Sequence, residues 1–456
     1  MPTLQEIENW ASFAGSRAMN IFQGMRRVGM DRRIARYGLW VGLAAILAIA
    51  LHAVTGASRE SEPDRLGIIA YIQAKNLWIK ELPNGSTQPI AIGDEFRQLS
   101  WSPSGQWLAY RQKDRLWVRR QDGSEAKPLT PAQEIAGQFA WDPGRDRIAY
   151  ISQTGQLFVA SAPDWQPQSS LAKNTLGFVW SADGEKLLTN HEVLGDVSAR
   201  QSARNIGLQV LRVDRRGETR QIPGATHAIA AGWSGDGQRI LFWQAPMLSA
   251  SLLADGLPLK QFAVGSSSSQ ALLPAVLVHP DFLAWSPDGS RVAIAAGAGR
   301  ETWTNKQLVV ADLKTGTLLP LTDKQTAAIA PNWSPDGKHI AYVASSDAGA
   351  DAGGETAKTS LKQRRIWVTN DDSSNPRPLT QSQPGNREES PHWAGNSQQI
   401  LFAQLTPSGN ASLWLVNVAG KPVPEAVVQL RPLAQWDEFY GYIDWRNYFA
   451  WWQASS

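Results

Sequence analysis

A ten-residue pattern that begins with Trp recurs along the chain and constrains its fold more than any other feature. In each copy the Trp is followed by a short turn and then by a short apolar stretch. Seven copies occur, which are WSPSGQWLAY from Trp101, WDPGRDRIAY from Trp141, WSADGEKLLT from Trp180, WSGDGQRILF from Trp233, WSPDGSRVAI from Trp285, WSPDGKHIAY from Trp333 and WAGNSQQILF from Trp393. Self-similarity at this kind of spacing indicates one structural unit stacked on copies of itself.

The residue types within the pattern predict the structure of each unit. The Trp buries a large ring, while Pro, Asp and Gly in the next positions favour a turn that reverses the chain. The stretches IAY, ILF and VAI that follow favour a β-strand. Several units then continue with another strand, a polar turn and a closing strand, as in QLVVADLKTGTLLPLT. The sequence therefore predicts an all-β protein, a β-propeller of four-stranded antiparallel blades.

The number of blades depends on how the two ends of the repeat region combine. Leu66–Leu82 resembles the later strands of a blade whose Trp-bearing first strand is missing, and GYIDW, which ends at Trp445, resembles that missing strand. Joining them removes the open edge of the ring. Eight blades, formed by residues 66–456, is our first interpretation. The following FAWW competes for the same position, so seven blades with an atypical end is the alternative.

The residues before the repeats predict a membrane anchor. Residues 1–36 form an Arg-rich tail that can include an amphipathic helix, residues 37–57 are apolar, and residues 58–65 are a short linker. Twenty-one helical residues cover roughly 30 Å, which is the thickness of a bilayer core. The positive-inside rule predicts a single-pass membrane protein with a cytoplasmic N-terminus and an extracytoplasmic propeller, periplasmic or at the cell surface. Cleavage as a signal peptide after Gly56 or Ala57 is the alternative.

Composition excludes several classes of site. The 456 residues include no Cys, which excludes disulfides, thiolate metal sites and a cysteine nucleophile. The formal net charge of +3 is small and equals the excess of Arg in residues 1–36. The propeller itself is therefore close to neutral, and we predict no nucleic-acid partner.

Few residues suggest chemistry. The motifs of a nucleophile elbow, a phosphate-binding loop and a zinc peptidase are absent from the sequence. The histidines of the repeat region lie in separate repeat units without metal-ligand spacing and are His191, His227, His279, His339 and His392. The repeat aspartates Asp183, Asp236, Asp288 and Asp336 are interpreted as turn residues and not as calcium ligands. Arg115, Arg119 and Arg120 around Trp117 are interpreted as charges that protect an edge strand. We predict no catalytic residue, no metal and no cofactor.

Three stretches lengthen individual units. Ala344–Arg365 is rich in Ala, Gly, Asp and Ser and is predicted to be a mobile surface loop. Val193–Asn205 is a second insertion. Ala245–Val276 is more apolar and is either two longer strands or a loop that packs over one mouth of the ring.

The copies WSPDGSRVAI and WSPDGKHIAY, with the closing LLPLT and RPLT, resemble the propeller repeats of TolB. Similar repeats occur in the propeller domains of prolyl-oligopeptidase-type peptidases. The resemblance covers roughly residues 66–450 and implies the fold. TolB itself has six blades and a small N-terminal α/β domain. We expect no such domain here, because the short linker before the first strand leaves no space for it. The peptidases add a hydrolase domain with Ser, Asp and His, which we also expect to be missing.

These observations favour a function without catalysis. We expect a non-enzymatic extracytoplasmic scaffold that binds a protein partner as a subunit of a membrane or cell-envelope assembly. The alternative is a ligand-binding or enzymatic propeller, in which histidines and carboxylates converge at one mouth of the channel. A sensor that reports on the ring through residues 1–36 is a third hypothesis.

Overall fold

The computed structural model describes residues 66–454 except 94, 132, 133, 135, 168, 194–204, 216, 248, 249, 351 and 382. The predicted tail (1–36), membrane span (37–57) and linker (58–65) lie outside the described residues.

The first half of the described chain forms four consecutive antiparallel sheets. Sheet 1 contains β1 (Gly67–Gln73), β2 (Asn76–Leu82) and β3 (Thr87–Ala91), and sheet 2 contains β4 (Phe96–Trp101), β5 (Trp107–Gln112), β6 (Arg115–Arg120) and β7 (Ala126–Pro128). Sheet 3 contains β8 (Phe139–Trp141), β9 (Arg147–Ile151) and β10 (Leu157–Ser161), and sheet 4 contains β11 (Thr175–Trp180), β12 (Lys186–Val193), β13 (Asn205–Arg212) and β14 (Thr219–Thr226). In sheet 3 an isolated bridge joins Leu157 to Ala172.

The second half repeats this arrangement. Sheet 5 contains β15 (Ala228–Trp233), β16 (Arg239–Gln244), β17 (Leu257–Ala263) and β18 (Gln270–Val276), with helix α1 (Ala250–Asp255) between β16 and β17. Sheet 6 contains β19 (Leu283–Trp285), β20 (Arg291–Ala296), β21 (Gln307–Asp312) and β22 (Leu318–Pro320). The pair Val276–Ala296 joins sheets 5 and 6.

Two more sheets and a C-terminal region complete the order. Sheet 7 contains β23 (Thr326–Trp333), β24 (His339–Ser346), β25 (Arg365–Asn370) and β26 (Arg377–Pro378), with helix α2 (Gly354–Lys362) between β24 and β25. Sheet 8 contains β27 (Arg387–Trp393), β28 (Gln399–Leu405), β29 (Ala411–Asn417) and β30 (Glu425–Gln429). A small hairpin, β31 (Glu438–Phe439) and β32 (Tyr442–Ile443), precedes β33 (Phe449–Trp452). The predicted all-β architecture is confirmed, and the succession of antiparallel sheets, most of them four-stranded, is that of a β-propeller.

The last strand joins the two ends of the sheet region. β33 pairs with β1, with Trp451 opposite Ile69. Each repeat Trp occupies the same position in its own sheet, as Trp333 does opposite Ile340. Trp451 therefore takes the place of the repeat Trp in sheet 1. The prediction that GYIDW is the closing strand is wrong, because Trp445 lies in a 3₁₀ turn and FAWW forms the strand.

The repeat Trp side chains link neighbouring sheets through hydrogen bonds as well as packing. Five of them donate from Nε1 to the carbonyl of the residue that precedes the equivalent Trp of the previous sheet. These bonds are Trp101 to Ala450 (3.2 Å), Trp141 to Ser100 (3.0 Å), Trp180 to Ala140 (3.0 Å), Trp333 to Ala284 (3.0 Å) and Trp393 to Asn332 (3.0 Å). Each ring is thus buried between two sheets and also fixes their separation.

The insertions differ from the prediction in one case. Within Ala344–Arg365, which was predicted to be a loop, Gly354–Lys362 forms α2, and its Ala357 and Leu361 are buried. The two residues are one helical turn apart, so a narrow apolar stripe suffices to hold the helix against the sheet. Ala245–Val276 forms α1 and two strands. Most of the Val193–Asn205 insertion, residues 194–204, lies outside the described residues.

The predicted membrane localisation requires correction. Among the described residues there is no helix long and apolar enough to cross a membrane. The longer of the two described α-helices, α2, has nine residues, which span roughly 14 Å of the ~30 Å of a bilayer core. The prediction of a single-pass membrane protein is therefore wrong for the part of the chain that the structure describes.

Candidate functional site

A cavity lies where the first strands of several sheets meet. Its volume is about 730 Å³, and its lining includes Trp101 of β4, Trp141 of β8, His392 of β27 and Phe449 of β33. A neighbouring cavity of about 710 Å³ shares part of this lining and extends it to β11 and β15. Because first strands are innermost in a propeller, the two spaces lie along the axis of the ring, and we call them together the axial cavity.

The residues before β33 supply polar groups to this cavity. Residues 431–448, which we call the C-terminal segment, contribute Tyr442, Asp444 and Arg446 to its lining. Arg446 donates from Nε and Nη2 to the two carboxylate oxygens of Asp444, each at 2.8 Å. This bidentate pair is the strong, orienting form of an ion pair. The Arg446 side chain remains 55% exposed, so the guanidinium is accessible to water within the cavity.

Asp281 places a further carboxylate in the cavity. It follows Pro280 in a 3₁₀ turn just before β19 and hydrogen-bonds with the Tyr442 hydroxyl. Among the described residues it has no ion-pair partner. Desolvation by the surrounding protein raises its pKa to about 7, against the lowering effect of the Tyr442 hydrogen bond. The side chain is exposed within the cavity, so a ligand in the cavity can reach the carboxyl group.

His279 fixes the orientation of Tyr442. The imidazole stacks on the phenol ring with 3.7 Å between ring centroids and an angle of 15° between planes. Burial lowers the pKa of His279 to about 4, so the ring is neutral near pH 7. A neutral, stacked imidazole acts here as a packing surface that keeps the Tyr442 hydroxyl directed toward Asp281.

A serine and a histidine form a second polar pair in the cavity. Ser390 Oγ lies 3.0 Å from Nε2 of His392, and both residues line the space. Burial lowers the pKa of His392 to about 4, which leaves its ring neutral. The residue before the repeat Trp is Ser100, Ala140 or Ala284 in other sheets, so the repeat itself does not require a histidine at position 392.

The other predicted candidates lie outside this arrangement. His191 lies in β12 and His339 in β24, and the lining residues of the cavity include neither. The structure describes no group of three or more His, Asp or Glu side chains that could hold a metal ion. The turn aspartates accept hydrogen bonds within their own turns, as Asp288 does from Ser286 Oγ at 2.6 Å and from the Ser290 amide at 3.0 Å. The arginines of β6 bond within sheet 2, as Arg115 does to the Thr130 carbonyl at 2.9 Å.

The signal for this site was weak in the sequence. Asp281, Tyr442 and Arg446 come from two distant segments and match no motif. His279 and His392 were noted as separate, and the fold brings one against the cavity wall and the other into its lining. The informative feature was the departure from the repeat at His392, which only the alignment of the units reveals.

Comparison with known proteins supports the fold and points to peptidases. No family model matches the chain. Dipeptidyl-peptidase 5 of Porphyromonas endodontalis is 25% identical over 267 residues, which are 53% of this chain and 36% of that protein. The chain therefore spans about a third of the length of this curated relative.

Solved structures give the same picture of the fold. Dipeptidyl peptidase 4 of Porphyromonas gingivalis has a TM-score of 0.55 and 10% identity, and the match covers 80% of this chain and 58% of that one. A putative TolB of Agrobacterium tumefaciens has a TM-score of 0.34 and 13% identity over 80% of this chain and 88% of that one. The match to the dipeptidyl peptidase supports the propeller fold that the repeats predict.

These findings correct the prediction that the chain is not an enzyme. That prediction treated the resemblance to peptidase propellers as one of fold only. The curated relative is itself a dipeptidyl-peptidase, and solved peptidases are among the structural neighbours. The comparisons thus favour the ligand-binding or enzymatic alternative over the scaffold.

Proposed function

We propose that the chain is a ligand-binding propeller that takes a short peptide with a cationic group into its axial cavity, and that it acts in peptide hydrolysis. The observation that carries the proposal is the Asp281 carboxylate, which faces a cavity of about 730 Å³ without an ion-pair partner among the described residues. A carboxylate held in this position is suited to an amine or a guanidinium.

The remaining lining complements a peptide. Trp101 and Trp141 offer apolar ring surface, while the Ser390 hydroxyl and the Arg446 guanidinium offer hydrogen bonds to peptide carbonyls. Aromatic walls with polar groups placed between them are a usual composition of a ligand site. The link to peptidases rests on the name of the curated relative and on this geometry together.

We also propose an eight-bladed ring. Sheets 5 and 6 are joined by a single residue pair, whereas each is internally a four-stranded meander, so they count as two blades. The pairing of β33 with β1 completes the blade at the junction of the ends. A tilt series or a crystal structure that shows eight pseudo-symmetric units around the axis tests this count.

Binding of the tripeptide Lys-Ala-Ala, measured by calorimetry at pH 7.5, tests the function. We expect Asp281→Asn to weaken binding at least about tenfold, because a hydrogen-bonded charge pair contributes about 1.5–3 kcal/mol. Asp114→Asn, which changes an exposed carboxylate paired with Arg97, is the matched control and keeps wild-type affinity. Equal affinity of wild type and Asp281→Asn contradicts the proposal.

Hydrolysis is tested separately with fluorogenic dipeptide substrates. Ser390 is the serine that the cavity places within hydrogen-bond distance of a histidine, so its hydroxyl is the nucleophile that the geometry offers. Cleavage that persists in Ser390→Ala assigns the reaction to another group, and absence of cleavage in the wild type limits the function to binding.

A further inference from the structure

The C-terminal segment contacts several sheets at one end of the ring. The Leu433 amide donates to the Gly409 carbonyl at 2.9 Å, beside the connection between β28 and β29. Farther along, Arg387 at the start of β27 binds both carboxylate oxygens of Glu438 at 3.0 Å. The Thr302 amide, from the connection between β20 and β21, donates to the Tyr440 carbonyl at 3.0 Å. The segment therefore reaches from sheet 8 to sheet 6.

All these contacts lie at the same end of the sheets. In an antiparallel four-stranded sheet, the start of the first strand and the connection from the second strand to the third lie at one end. Residue 387 is at the start of a first strand, and residues 302 and 409 lie in connections between a second and a third strand. The turn that follows each repeat Trp lies at the opposite end. The C-terminal segment thus crosses the mouth of the ring that is remote from these turns.

A buried arginine fastens the segment in this position. Arg364 is 1% exposed and donates to Glu389 Oε1 at 2.7 Å, to Thr302 Oγ1 at 2.6 Å and to the Gly441 carbonyl at 2.8 Å. Its guanidinium thereby joins sheets 6, 7 and 8 to the segment. Opening the segment would break the bond between this guanidinium and Gly441. A buried charge that loses a partner in this way is destabilising, so opening is costly.

The close fit at Gly441 reinforces the attachment. Gly441 has a φ of +80°, and a Cβ at this position would lie 2.4 Å from Thr302 Oγ1. The next side chain, Tyr442, belongs to the axial cavity. The attachment of the segment and the shape of the site are therefore set by the same few residues.

The opposite end of the cavity remains accessible. Its lining includes Ser102, Pro103, Asp142 and Pro143, which belong to the turns after Trp101 and Trp141. Pro143 is exposed, as is Pro280 at the other end of the cavity, so the two ends are distinguished by the contacts of the C-terminal segment and not by exposure. We name this opening the turn mouth.

We propose that the C-terminal segment is a fixed closure of one end of the axial cavity, and that ligands enter through the turn mouth at Pro103 and Pro143. This inference rests on the proposed function for the identity of the ligand. Ligands then enter by the turn mouth alone, and Arg364 is the positioning residue that keeps the C-terminal segment over the other end.

The absence of Cys from the sequence allows a direct test with Lys-Ala-Ala as the probe. Pro143→Cys and Trp436→Cys are each labelled with a bulky maleimide and compared with their unlabelled forms. Trp436 is 88% exposed on the C-terminal segment and is the matched position at the closed end. We expect the label at 143 to slow association at least tenfold and the label at 436 to leave it unchanged. Slowed association with the label at 436 only, or with neither label, overturns the proposal.

Hydrogen exchange tests the closure without any ligand. In the wild type we expect the amides of Arg431 and Leu433, which donate to the Ile72 and Gly409 carbonyls, to exchange as slowly as those of the inner strands. Arg364→Lys keeps the charge but loses the fork, so exchange in the segment rises at least tenfold while β24 and β25 stay protected.

Arg365→Lys is the control for this measurement. Arg365 donates to the carbonyls of Lys362, Arg364 and Asn386 and makes none of these bonds to the segment. We expect it to leave exchange in the segment unchanged. Fast exchange of the segment in the wild type contradicts a fixed closure. Failure of Lys-Ala-Ala to bind any unlabelled form, with the segment protected, contradicts the proposed ligand and leaves the closure supported.

Discussion

At the scale of single residues, the indole nitrogen of the repeat Trp has an effect apart from the ring. Trp333 and Trp233 are both 6% exposed and occupy the same place in their sheets. Trp333 Nε1 donates to the Ala284 carbonyl, whereas Trp233 Nε1 is buried without a hydrogen-bond partner among the described residues. Replacing each of the two residues therefore distinguishes the contribution of the hydrogen bond to stability from that of the packed ring.

We expect Trp333→Phe to lower the free energy of unfolding by about 1 kcal/mol more than Trp233→Phe does. The first change removes a hydrogen bond to the Ala284 carbonyl, while the second removes a donor that has no partner among the described residues. Urea denaturation followed by circular dichroism measures both. Equal losses in the two variants would show that the ring alone stabilises the junctions between sheets.

Asp281 gives a second prediction at this scale. Its folded-state pKa is raised, so between pH 4 and 7 the folded state binds more protons than the unfolded state, and stability falls as pH rises. Asp281→Asn lacks this titration. We expect the variant to gain stability relative to the wild type from pH 4.5 to pH 7.5, as measured by thermal unfolding. A constant difference across this range contradicts the raised pKa.

At the scale of elements, the turn after Trp285 contains a carboxylate, Asp288, whose pKa is shifted in the direction opposite to that of Asp281. The hydrogen bonds from Ser286 Oγ, the Ser290 amide and Ser290 Oγ lower the pKa of Asp288 to about 2. Its contribution to stability is therefore present above pH 4 and is lost as pH falls toward 2. Compared with the wild type, Asp288→Asn is less stable at pH 5, and we expect this difference to narrow at pH 2.5. Urea midpoints at the two pH values measure it, and a difference that widens toward pH 2.5 rules the assignment out.

The sequence predicted these turns well because each depends on residues that are close along the chain. Ser286, Asp288 and Ser290 form a self-contained unit, and the same unit recurs at Ser234 and Asp236. Helix α2 was missed because its apolar stripe is narrow and its residues resemble a loop in composition. Its neighbour Arg364 was missed for a different reason, since the groups that it binds, at residues 302, 389 and 441, meet only in the folded chain.

At the scale of the whole molecule, closure of the ring depends on one four-residue strand. β33 covers the edge of β1, and Ala450 accepts the hydrogen bond of Trp101. The competing segments GYIDW and FAWW were both visible in the sequence, but only packing decides between them. Trp445 is 6% exposed and its ring contacts that of Tyr448. The Trp of GYIDW is therefore already buried, and FAWW is the segment that pairs with β1.

Truncation after Tyr448 tests this dependence. We expect the loss of β33 to destabilise the protein by at least about 3 kcal/mol, because it removes the buried Phe449 and the two Trp that follow. The exposed edge of β1 should also promote aggregation. Truncation after Gln453 keeps the strand and is the control. Calorimetric unfolding and light scattering measure the two effects, and equal behaviour of both truncations argues against closure by β33.

The pairing of β33 with β1 also has a consequence for how the chain matures. Residues 68 and 452 are partners, so nearly the entire sheet region must leave the ribosome before the ring is complete. Sheets 2 to 8 form from neighbouring residues and emerge one after another, whereas β1 waits with one edge unpaired. Bringing together ends so far apart along the chain adds a loop-closure cost that local sheets do not have. Newly made chains should therefore pass through an open, aggregation-prone stage whose length is set by the rate of translation.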